Sequence, residues 1–93
     1  MSKATSESLV DDERAIVTKW TLPSGGETGS HTHGHDYLVV YLTDGILTVE
    51  AEGRIFEAPV SKHTVTSRAA GVRHNVSNQS GNLIEFIEIE LKI

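Results

Sequence analysis

Three of the chain's five histidines fall within five residues, in His31-Thr32-His33-Gly34-His35, after the glycine-rich approach Gly25-Gly26-Glu27-Thr28-Gly29-Ser30. Alternate residues of an extended segment point to one face, so His31 and His33 project their imidazoles to the same side. Neutral imidazole is a preferred ligand for zinc, iron, nickel and copper, and two convergent rings make half of a metal site. A further histidine follows in Gly71-Val72-Arg73-His74-Asn75-Val76-Ser77-Asn78. Gly71 permits a tight turn there, and His74, Val76 and Asn78 then share one strand face. His35 has the parity of His31 and His33, but Gly34 interrupts the strand before it. His35 is therefore read as a pocket residue or an outer partner of the site, and Asn78 as a pocket residue or a hydrogen-bonding group at a strand end.

The bulk properties narrow what such a site serves. Thirteen acidic against eight basic side chains give a net charge of -5, which speaks against nucleic-acid binding, because phosphates demand a basic patch. The absence of cysteine excludes disulfides, thiolate metal sites and a cysteine nucleophile together. Residues 1–12 are polar and contain no apolar run that would act as a secretory signal or membrane span. They read as a flexible or loosely docked N-terminal arm, with residues 13–93 forming one domain of a cytoplasmic protein.

The elements that must position the histidines are strands. Ile16, Trp20 and Leu22 alternate with Lys19 and Thr21, and Pro23-Ser24-Gly25-Gly26 ends that strand. Thr28 to His33 reads as a short strand, and Tyr37 to Thr43 as one apolar on both parities and buried on both faces. Asp44-Gly45 signals a hairpin across which Ile46 to Ala51 pairs back, and Glu52-Gly53 a second tight turn before Arg54 to Ala58. His63 to Ser67 and Val72 to Asn78 are shorter strands. In the last, Leu83 to Lys92, Ile87, Ile89 and Leu91 share one face and Glu88, Glu90 and Lys92 the other. Ile84 and Phe86 break that pattern, as a subunit contact or a contact from the N-terminal arm would explain. No segment has helical periodicity, and short strands with regular turn signals argue for an antiparallel sandwich or barrel.

The two histidine segments resemble the cupins. The first cupin motif runs glycine, five residues, His-x-His, then a glutamate and a closing glycine; Gly25, His31-x-His33 and Gly45 fit it. The end of the second motif, a histidine with an asparagine four positions on, is matched by His74 and Asn78 after Gly71. The resemblance spans roughly Thr18 to Leu91 and implies a double-stranded β-helix of the jelly-roll type, an all-β barrel in which His31, His33 and His74 converge on one divalent transition metal (Zn, Fe, Ni or Mn). Where the family carries its glutamate ligand, this chain has Tyr37 and Leu38. Ala69 replaces the proline of the second motif, and His63 falls near its missing glycine.

Three imidazoles and open positions remain sufficient for metal-assisted chemistry. The loss of the carboxylate makes the site less anionic, and Tyr37 becomes the nearest acid/base or orienting group. Two functions follow as expectations: a metal-dependent enzyme acting on a small anionic metabolite, or a non-catalytic cupin that binds or senses a small molecule. Arg68 and Arg73 read as exposed charges or as anchors for a carboxylate at the barrel mouth. Part of the chain also looks like the small single-domain cupins linked to β-alanine degradation. The resemblance implies a homodimer, while the acidic balance and the lack of an apolar run lead us to expect no nucleic-acid or membrane partner.

Overall fold

The computed structural model describes residues 3–92. Among them it places nine strands and no helix: β1 (Thr5–Asp11), β2 (Ala15–Leu22), β3 (His31–Thr32), β4 (Tyr37–Tyr41), β5 (Gly45–Ala51), β6 (Arg54–Val60), β7 (Val65–Arg68), β8 (Arg73–Ser77) and β9 (Ile84–Leu91). They form a five-stranded sheet ordered β1-β2-β9-β4-β7 and a four-stranded sheet ordered β3-β8-β5-β6. Every named pairing is antiparallel. The expected all-β architecture is thus a double-stranded β-helix, and no helix is long and apolar enough to cross a membrane.

Between the sheets lies a core of Leu22, Tyr37, Val39, Tyr41, Leu47, Val60, Val76, Ile84 and Phe86. Strand β4 alternates, with Tyr37, Val39 and Tyr41 buried and Leu38 and Val40 only half-buried, so the expected burial of both faces is replaced by one core face. The parity expected of β9 is reversed as well. Ile84 and Phe86 are 0% and 3% exposed and point into the core, while Ile87, Ile89 and Leu91 are half-buried on the outer face. The inner face of β9 therefore passes from Ile84 and Phe86 to Glu88 and Glu90, from core to site.

Two turns behave differently from one another. Glu52 and Gly53 both have positive φ, 53° and 74°, and close the β5–β6 hairpin where Ala51 pairs with Arg54, as expected of a two-residue turn whose backbone twist matches the strands. Asp44-Gly45 is not a hairpin. Strand β4 pairs with β7 and β9, and β5 with β6 and β8, so this turn carries the chain from one sheet to the other. A Cβ on Gly45 would lie 2.8 Å from Cδ1 of Ile84, so the glycine serves close packing at that corner. His63, near the family's missing glycine, has φ 68°, a left-handed conformation that glycine adopts without strain.

The N-terminal segment read as an arm also differs: Thr5–Asp11 pairs along β2, with an irregularity between Ser8 and Val10. All seven residues of this strand are exposed, so backbone pairing rather than burial holds it. Low hydrophobicity concealed it, because an edge strand needs a ladder and not a core.

Asn78, at the end of β8, is fully buried. Its Nδ2 donates to the carbonyls of Leu22 and Asn82 at 2.8 and 2.6 Å, and its Oδ1 accepts from the amide and hydroxyl of Ser80 at 3.0 and 2.6 Å. The side chain pins the polar loop before β9 to the end of β2. Asn78→Ala orphans several of these groups inside the fold and is expected to cost about 2–4 kcal/mol, read as a lowered midpoint in urea unfolding.

Candidate metal centre

The strand ladder itself brings the histidines together. β3 is only two residues long, yet its register sets His31 directly opposite His74, and His74 on its other side faces Ala51 of β5. His33 follows β3 and is held by its own backbone: its carbonyl accepts from the Gly71 amide at 2.9 Å. Gly71 has φ 98°, the left-handed turn that lets this amide reach back. The two motif segments are thereby fastened to each other.

Hydrogen bonds at the far side of two of the rings, His31 and His33, fix their tautomers. His31 Nδ1 lies 2.7 Å from the Gly29 carbonyl, which accepts only, so Nδ1 carries the proton. His33 Nδ1 donates to Oε1 of Glu90 at 3.1 Å. In both neutral rings Nε2 is consequently bare, and the two Nε2 atoms face each other at 3.0 Å. Nε2 of His74 completes the triangle at 3.1 Å from each. Burial, reinforced by His31 and His33, pushes His74 down from its ordinary 6.5 to about 4. Three ring nitrogens converging on one point are a candidate donor set for a cation. His31, His33 and His74 are close enough together that all three would be able to hold one shared ion, which would supply Lewis acidity there. The fit to a transition metal is good on both chemistry and distance.

Carboxylates do reach this cluster, from β9 rather than β4. Glu90 is the cross-strand partner of Tyr37 and Glu88 that of Val39. Glu90 orients His33, as outer carboxylates orient metal-binding imidazoles. Oε2 of Glu88 lies 3.6 Å from His33 Nε2, while Trp20 Nε1 donates to Oε1 at 3.0 Å. Burial raises the pKa of Glu88 despite the opposing pull of His33. Tyr37 stacks on the His33 ring, with centroids 3.9 Å apart and planes at 22°. Burial, then the charge of Glu88, pushes its phenol up to about 12 in the metal-free site.

His35 and Asn78 lie elsewhere. His35 lines a separate shallow depression with Gly34, Asp36, Ala70 and Leu91, because Gly34 turns the chain as expected. The Asn78 side chain bonds to the loop around Ser80 and to Leu22 of β2, and it is not among the residues lining the cavity. A cavity of about 350 Å³ opens beside His74 and Glu88 and runs between the sheets. Glu88 and Glu90 escaped the sequence reading, although their parity with Ile84 and Phe86 marked them as inward-facing. In metal-free protein the folded site takes up the His74 proton at about 4 and the unfolded chain at 6.5. The unfolded state then holds more protons across that window, so stability falls as pH drops through it. An NMR titration of His74 beside pH-dependent unfolding checks this.

No protein-family model matches the chain. It is 47% identical over 83 residues to the β-alanine degradation protein BauB of Pseudomonas aeruginosa, covering 89% of this chain and 87% of that protein. A crystal structure of a cupin domain from Bordetella pertussis superposes with a TM-score of 0.94 at 39% identity, over 100% of this chain and 99% of the other. An RmlC-like cupin with a double-stranded β-helix fold from Methanocaldococcus jannaschii shares the fold at 17% identity, with a TM-score of 0.81 over 95% and 79% of the two chains. The histidine segments, the barrel and these likenesses agree: the chain belongs to the cupins.

Proposed function

We propose that this cupin binds one divalent transition ion through His31, His33 and His74 and acts on a small anionic metabolite held in the adjoining cavity. The observation that carries the reading is the triangle of bare Nε2 atoms at 3.0–3.1 Å, fixed by acceptors behind His31 and His33. A bound ion supplies Lewis acidity or activates water or O₂. The protein's own part is to hold the ligand, with the Tyr37 hydroxyl donating to it and Glu88 supplying a buried carboxylate. The name of the Pseudomonas relative supports a place in β-alanine breakdown. A non-catalytic binding role is the second reading, favoured by the Tyr37 ring lying flat on His33 and not aimed end-on at the histidine nitrogens.

Elemental analysis of untagged protein tests the reading. One equivalent of a transition metal is expected in the wild type and almost none in His74→Ala. Glu90→Ala is expected to retain the fold and bind metal 10- to 100-fold more weakly, because His33 loses the group that orients it. Wild-type protein that takes up no metal would sink the proposal.

The same reading includes a cytoplasmic homodimer. Its support is the outer face of the five-stranded sheet, where Ile87 and Ile89 lie beside Val40 and Leu38 on one side, and Ile89 lies beside Val17 on the other. Val10 of β1 continues the stripe next to Val17. A twofold contact between such faces covers apolar surface and the β1 edge together. Ile89→Lys is expected to halve the mass measured by light scattering, with the metal content unchanged.

A further inference from the structure

The cavity beside the histidines is polar at one end and apolar along the rest of its length. Tyr37 and Arg68 are cross-strand partners at the polar end, where His74 and Glu88 also line the wall. Four residues further along β4, Tyr41 pairs with Phe86, and Leu47, Val76 and Phe56 complete an apolar lining there. At about 3.3 Å per strand residue, the gradient runs for about 13 Å. Phe56 is 50% exposed, so the apolar part is open to solvent at β6, and Phe56 has no core to cover it.

A short zwitterion does not match these walls. Its ammonium end would enter a space whose one lining carboxylate, Glu88, already accepts from Trp20, and whose one basic side chain, Arg68, would repel it. Charged groups buried without partners are costly, and a three-carbon body would leave most of the apolar lining uncovered. The volume of about 350 Å³ holds roughly ten groups at the ~30 Å³ that a water occupies in the liquid. Arg68 enters none of the ion pairs among the described residues and is exposed at the cavity mouth, so its guanidinium is available to a ligand carboxylate.

We propose that the ligand of this cavity is a monocarboxylate with an apolar body of medium length, its head between Arg68, Tyr37 and the histidine cluster and its body along Leu47, Val76, Phe86 and Phe56. This rests on the cavity being the ligand site of the metal-binding cupin, and it narrows the anionic metabolite to an amphipathic one. The relevant selectivity is then for chain length: each methylene buried adds about threefold to fourfold in affinity.

Calorimetry of straight-chain carboxylates from four to ten carbons, against metal-loaded wild type and against His74→Ala, tests this. Affinity is expected to climb about threefold to fourfold per methylene and level off near eight carbons, with a three-carbon amino acid not binding at millimolar concentration. Arg68→Gln is expected to weaken the whole series about tenfold without changing its slope, and Ala58→Leu to bring the levelling point to shorter chains. A flat length dependence, tighter binding of the short zwitterion, or equal binding of the primary amine of the same length would overturn the proposal. The arms separate the two readings. A length gradient in protein that takes up no metal refutes the metal centre alone, and full metal loading without any carboxylate binding refutes the ligand class alone.

Discussion

Two nitrogen lone pairs facing each other at 3.0 Å repel unless something positive lies between them, and a third at 3.1 Å adds to the repulsion. Much of the surrounding structure enforces this unfavourable meeting. The β3–β8 register opposes His31 to His74, the Gly71 amide holds the backbone of His33, and Gly29 and Glu90 take the protons that would otherwise relieve the contact. A fold that spends backbone pairing and a half-buried carboxylate to aim ring nitrogens at one point is compatible with a metal ion there.

The parts legible in the sequence were those with local signatures. His-x-His announces itself through strand parity, Glu52-Gly53 through turn chemistry, and the all-β class through the absence of any helical period. The carboxylates were concealed because β9 uses one face for two purposes. Ile84 and Phe86 fill the core while Glu88 and Glu90 reach the site, so hydrophobic alternation pointed to the wrong side. Asp44-Gly45 misled for a related reason: a dipeptide suited to a hairpin also suits a corner between two sheets, and only long-range pairing tells them apart. Backbone pairing without burial likewise hid β1. In each case the deciding contact was non-local, while the clue was local.

The core and the ligand space share their walls. Tyr41, Leu47, Val76 and Phe86 belong to the buried cluster and also line the cavity. In a chain of this size little apolar surface is available, so stability and ligand fit are not separable there. Substitutions made to enlarge or reshape the cavity will be felt as losses in packing, whereas those at the mouth, around Phe56 and Arg68, carry far less of the core.

Strand β9 lies between β2 and β4 in the five-stranded sheet, although it is the last element in the chain order. During synthesis, therefore, the strands on either side of it emerge with a gap between them. Neither the complete sheet nor the placement of the carboxylates beside His33 can form until β9 has been made and inserted. Loop closures of this range make folding slow, and the central gap leaves strand edges unpaired meanwhile. The growing chain thus depends on a strand made after both of its sheet neighbours to complete the sheet and the candidate site together.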